Sequence, residues 1–183
     1  MAKRGETRER LLKTAATLFQ SQGYHATGLN QVVAEGRAPK GSLYFHFPGG
    51  KEQLAAESLV LSANDVRRRL SGARDLDAAL EVFATRLVAS GFRDGCPIAT
   101  VALDAAGDSE PIRVACADAY GSWRDVVVDF LLRQGVSTER APGLATTVLA
   151  AVEGALLLAK TQRDVAPLRQ VAADLRVLIE GAK

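Results

Sequence analysis

Apolar residues return every three or four positions along almost the whole of this 183-residue chain, cut only by glycine, proline and short polar clusters. That period belongs to amphipathic helices, and the alternation a strand needs is nearly absent, so the expected class is all-α. The first segment, about 6–21, sets Leu11, Leu12, Ala15, Leu18 and Phe19 on one stripe and ends near Gln22, before a Gly23 suited to positive φ. "LNQVVAE" is a short second helix, capped by the Thr27 hydroxyl and broken at Gly36. Pro39 fits the first turn of a third, "PKGSLYF", which is too short to persist alone and is anchored by Leu43 and Phe47. Longer helices follow over about 51–70, after an Asp75 cap, over "PIATVALDAA", over about 112–131 and 142–162, and from about Val165.

The last two helices differ from the rest. The penultimate one is apolar on nearly every side, through Leu144, Val148, Leu149, Val152, Leu156 and Leu158, so more than one neighbour must cover it. The final one carries a regular stripe of Leu168, Val171, Leu175, Leu178 and Ile179 at the end of the chain, where few intrachain neighbours are left. A homodimer through these two helices answers both, with Ala151, Gly154 and Ala155 letting helices approach closely in a four-helix contact. Burial within a monomer is the alternative.

With 48% hydrophobic and 24% charged residues the chain can bury one large core or two small ones. No apolar run approaches the roughly 18 to 20 residues of a membrane span, and charges stand where a signal peptide would be apolar, so the expectation is a cytoplasmic protein with no membrane partner. Cys96 and Cys116 form no C-x-x-C or Cys/His cluster, and His25 and His46 lack H-x-x-x-H spacing, so no metal site is expected. "GGKE" fails the G-x-x-x-x-G-K-[ST] pattern at both ends, with Phe45 in place of the first glycine and Glu52 after the lysine. Neither an enzyme nor a cofactor is expected.

Charge is unevenly spread. The chain carries a net +2, yet residues 1–51 hold Lys3, Arg4, Arg8, Arg10, Lys13, Arg37, Lys40 and Lys51 against Glu6, Glu9 and Glu35. A basic portion on a slightly acidic body suits a polyanion partner for one part only. Within that portion lies "GRAPKGSLYFHFPGGKE", Gly36 to Glu52, a poor core but a sensible probe. Short helix, tight turn, short helix is the arrangement of a helix-turn-helix, whose second helix enters the major groove. Gly41 lets backbone approach sugar-phosphate, Lys40 and Ser42 reach base edges or phosphate, and Tyr44 and His46 put polar tips on rigid bodies. "PGGKE" would offer backbone N–H groups and Lys51 to a phosphate. Inward packing of the aromatics accounts for Phe45 or Phe47 alone.

These residues carry a resemblance. "TRERLLKTAATLFQSQGYHAT" and "PKGSLYFHFPGGKEQL" resemble the N-terminal DNA-binding domain of TetR-type transcriptional repressors, and the double glycine before Lys51 together with "GCPIATVALDAA" resembles the LmrA/YxaF-like branch. The resemblance implies an all-α homodimer: an N-terminal three-helix helix-turn-helix domain (1–50) binds a double-stranded, palindromic DNA operator. A C-terminal helical ligand-binding and dimerisation domain (51–183) then releases it on taking up a small-molecule effector. Carried over position by position, Thr27, Lys40, Gly41, Ser42, Tyr44, His46 and Lys51 match residues that usually face DNA. Two departures stand out. Gly28 occupies a position where many members have a hydroxyl residue, and Gly36-Arg37 replaces the usual Ala-Gly, which either adds Arg37 as a cation near the groove or moves the flexible residue one step back.

An effector pocket would be apolar with a few polar groups, and the candidates are Phe83, Leu87, Phe92, Cys96, Ile98, Tyr120, Trp123, Val127, Phe130 and Glu153. Plain core explains any one of them; Tyr120 and Trp123 stand out because their polar edges need partners when buried, and Glu153 because it interrupts an apolar helix. An apolar or planar aromatic effector fits such a lining. The rival readings are a helical protein-interaction module using the basic face, and a redox sensor at Cys96, whose thiol sits just before a helix start.

Overall fold

The structure is a computed structural model that describes residues 4–39 and 41–183, the side chain of Arg4 excepted. Among the described residues all regular structure is α-helical: α1 (Arg4–Gln22), α2 (Leu29–Glu35), α3 (Ser42–His46), α4 (Gly50–Gly72), α5 (Leu76–Ala89), α6 (Pro97–Ala105), α7 (Glu110–Arg133), α8 (Ala141–Gln162) and α9 (Ala166–Glu180). The all-α expectation holds. Two compact units emerge, one of residues 1–64 with 97–119 and one of 65–96 with 120–183.

In the first unit α1 packs on α2, α3 and α6. The stripe expected on α1 is the buried one, with Leu11, Ala15, Leu18 and Phe19 out of solvent and Leu12 half-buried. Gly23 takes φ +84 and its N–H bonds Phe19 O, which ends α1 where the glycine allows the chain to reverse. The cap of α2 differs from expectation. Its N-cap is Gly28, which has no side chain to offer, while the Thr27 hydroxyl donates to Gly23 O at 2.7 Å and is wholly buried. The reason is local: Gly23, just past the end of α1, has a carbonyl outside the helical ladder, and Thr27 satisfies it. Pro39 likewise precedes α3 rather than opening it, because Gly41 at φ +88 breaks the helical path and becomes the N-cap.

In the second unit α9 packs along α8 and α5. Asp75 caps α5 as expected, accepting the Ala78 N–H at 2.8 Å. Leu131, Val136, Ala141, Ala145, Ile179 and Ala182 form a core cluster joining the end of α7 to α8 and α9. One expectation fails here. By length and composition α8, with 22 residues, could cross a membrane: scattered polar residues interrupt its apolar run without making the helix polar. A core helix passes the same test, and Ala145, Val148, Ala155, Leu156 and Ala159 of α8 are indeed buried on one side. Leu157 and Leu158 of α8 and Val177 and Leu178 of α9 remain exposed.

Candidate nucleic-acid interface

The interface candidate is assembled by α2, the turn after it and α3. The turn closes through Gly36 N–H on Val32 O, Arg37 N–H on Ala34 O and Ala38 N–H on Val33 O. Gly36 is right-handed, and a Cβ there would come within 2.8 Å of Val32 O, so space rather than φ demands the glycine. The left-handed position is Arg37, at φ 47. Of the two readings of the Gly36-Arg37 departure, the flexible residue has therefore not moved back; a side-chain-bearing residue takes the strained conformation and stands exposed. Arg10 Nε reaches Gly36 O at 3.3 Å and ties this turn to α1.

On α3 the two faces separate cleanly. Leu43 and Phe47, four residues apart, are buried, and the Arg8 guanidinium lies 5.1 Å from the Phe47 ring while ion-pairing with Glu57. Tyr44 and Phe45 face solvent with 63% and 59% of their surface exposed, and His46 is half-buried, edge-on to Phe45. Inward packing thus accounts for Phe47 and not for Phe45, a second outward aromatic that the residue-by-residue reading passed over; on a five-residue helix the i, i+4 spacing to Leu43 is the signal that separates the two. Ser42 donates to Pro39 O at 2.7 Å, and Gly41 is exposed with open space at its missing Cβ. Lys40 lies outside the described residues. Thr27 is the correction in this set: with its side chain buried and its hydroxyl used internally, it shapes the α1–α2 turn and presents nothing outward.

Lys51 belongs to a small cluster at that turn. Its ammonium sits 4.4 Å from the Tyr24 ring centroid and 3.4 Å from His25 O, and burial pushes its pKa down while the nearby Asp104 carboxylate acts against that. The expected phosphate site at "PGGKE" is narrower than the motif suggests, because Gly49 N–H is held by Gln53 Oε1 and Gly50 N–H by Phe47 O. Asp104 of α6 is the group that sequence reasoning missed. Its Oδ2 accepts the His25 N–H at 2.8 Å and lies 3.0 Å from where a Gly23 Cβ would stand, so α6 holds the turn between α1 and α2. A carboxylate within the apolar "PIATVALDAA" was the available signal.

Two family models match this chain. The one for bacterial regulatory proteins of the tetR family covers residues 11–57, and the one for the C-terminal domain of LmrA/YxaF-like transcriptional regulators covers residues 73–174. This chain belongs to the LmrA/YxaF-like branch of the TetR family. Its relatives include the HTH-type transcriptional regulators YxaF and LmrA of Bacillus subtilis, 39% and 37% identical over 98% and 96% of this chain and 98% of each relative. Among solved structures, a TetR transcriptional regulator from Chloroflexus aurantiacus superposes with a TM-score of 0.78 at 28% identity, covering 98% of this chain and 97% of that one. The chain is thus a helix-turn-helix transcriptional regulator, of a family whose members bind DNA and dimerise.

The second unit of this TetR-family chain holds a cavity of about 770 Å³ of empty space, part of it open to solvent. Phe83, Trp123, Val127, Phe130 and Glu153 line it, as do Leu76, Leu80, Leu149, Val152 and Leu156, which periodicity alone assigns to plain core. The other expected pocket residues fall elsewhere. Leu87 is buried away from this cavity, Phe92 occupies a left-handed turn after α5, and Tyr120 lies edge-on to Trp123 outside the lining. Ile98 is wholly buried in the first unit. Cys96 is buried too, its thiol hydrogen-bonded to Glu153, which leaves it without the exposure that a sensor thiol needs. Burial also pushes the Cys116 thiol up to about 11, an inert value.

Proposed function

We propose that the chain is a ligand-responsive repressor acting in the cytoplasm as a homodimer. Residues 1–50 read the DNA and residues 51–183 take up a small apolar or aromatic effector and join the two copies. The observation that carries this reading is the outward aromatic face of α3, where Tyr44 and Phe45 are exposed on a helix whose opposite face is anchored by Leu43 and Phe47. We assign Arg37, Gly41, Ser42, His46 and Lys51, with Lys40, to backbone and base contacts in the major groove around that face. The exposed Leu157, Leu158, Val177 and Leu178 favour a second copy as the cover for α8 and α9, an isologous contact of the four-helix type. Effector binding would favour a head spacing that no longer matches successive major grooves, about 34 Å apart.

Selection of bound duplexes from a random library, followed by gel shifts, tests the proposal. A palindromic site bound with strong salt dependence and preferred over its scrambled duplex is the expected result. Equal binding to scrambled duplex, or none, returns the basic face to a protein partner. Light scattering that reports a monomer removes the dimer, and a screen in which no compound releases the selected site removes the effector.

A further inference from the structure

The cavity of the second unit has one feature that its apolar lining does not explain. Glu153, about three turns into α8, is half-buried at its wall among Phe83, Trp123, Phe130 and Leu156, and the Cys96 thiol is hydrogen-bonded to its carboxyl. The other charged groups on the wall are accounted for. Asp75 is engaged as the α5 cap and with Arg74, and Arg133 is exposed at the end of α7. A thiol is a weak donor, and burial pushes the Glu153 pKa upward, with the Cys96 bond acting against it, so the carboxyl holds its proton more readily than a solvated glutamate.

We infer that this cavity takes an apolar molecule carrying one basic nitrogen, with Glu153 as the counter-charge and the Trp123, Phe83 and Phe130 rings packing around the cation. The inference rests on reading residues 51–183 as the effector domain and names the chemical class that domain recognises. Three ligand classes separate on physical grounds. A purely apolar guest would cover the carboxyl while returning it no hydrogen bond, at the cost of desolvation. An anionic guest would meet the Glu153 and Asp75 carboxyls, while Arg133, the cation on the wall, is exposed to water at the end of α7. A protonated amine converts the carboxyl to its charged form and makes a charge-assisted hydrogen bond away from water, and the aromatic faces add cation–π attraction.

Trp123 is the only tryptophan of the chain and lines the cavity, so its fluorescence reports binding directly. The full-length protein is titrated with para-butyl-N,N-dimethylbenzylamine and with para-butylbenzyl alcohol, which share an apolar body and differ in the basic nitrogen. The expected result is an amine Kd at least roughly tenfold below that of the alcohol, the scale of a charge-assisted bond against a neutral one. In Glu153→Gln the amine should fall to the level of the alcohol while alcohol binding is kept, which also shows that the variant is folded. Equal affinities in the wild type overturn the inference, as does a preference that survives in Glu153→Gln or the lack of any saturable response to the amine. The wild-type comparison decides even if the variant does not fold. The effector reading fails separately: amine that binds without loosening the selected operator defeats it and leaves the cavity assignment standing. Amine that releases DNA equally from wild type and Glu153→Gln does the reverse.

Discussion

Two groups of aromatic side chains in this protein are disposed in opposite senses. On α3, Tyr44 and Phe45 face solvent from a single helical turn held down by Leu43 and Phe47. In the second unit, Phe83, Trp123 and Phe130 turn inward around a cavity, with Glu153 in its wall. Apolar surface left exposed on an anchored helix points to a large partner outside the molecule, and aromatic volume that fails to fill its own interior points to a small one inside. The contrast teaches that orientation, not composition, assigns the two regions of a TetR-family regulator their tasks.

The widest test of that contrast is stability. Phe47→Ala should cost about 3–5 kcal/mol in chemical unfolding because the ring is fully buried, whereas Phe45→Ala should stay within about 0.5 kcal/mol. Similar costs for the two would erase the inward and outward faces of α3. Next comes Tyr44→Ala, expected to weaken operator binding by about 1–3 kcal/mol in gel shifts with no change in thermal midpoint; an unchanged affinity breaks the outward half of the comparison.

Arg37→Gly sharpens it. Relief of the left-handed backbone should raise stability by roughly 1 kcal/mol, while the lost cation lowers affinity for every duplex and flattens the salt dependence. A variant both less stable and bound as tightly would show that Arg37 is neither strained nor near phosphate. The smallest effect concerns pH and the inward region. Burial raises the Glu153 pKa in the folded state, so between its unfolded and folded values the native protein binds more protons, and stability falls as pH rises through that window. Urea unfolding of wild type and Glu153→Gln across that range should therefore show the variant gaining relative stability as pH rises, then levelling off. A difference that shrinks with rising pH would mean that the carboxyl is stabilised in its charged form.

Much of the helical order was legible because burial repeats with the helical period: the α1 stripe, "LNQVVAE" as α2, the Asp75 cap and the Gly23 reversal all stand where local chemistry places them. At the candidate sites less was legible. A hydroxyl beside a helix start reads as a cap, yet Thr27 turns back to the carbonyl of Gly23. The apolar face of a helix is visible in the sequence, but which neighbour it meets is not, so nothing local separates Leu80 and Leu149, which line the cavity, from Leu87 and Ile98, which do not.

By itself the sequence determined most helix limits and much of which side of each helix avoids water, since both follow from residues a few positions apart; the start of α3 and the exposed Leu178 are exceptions. Only the tertiary structure decided that Arg37 bears the left-handed turn, that Asp104 of α6 grips the amide of His25, and that the Cys96 thiol meets Glu153 at a cavity. The last two depend on groups dozens of residues apart being brought within hydrogen-bond reach, and no local pattern encodes which of the available partners the packed chain will select.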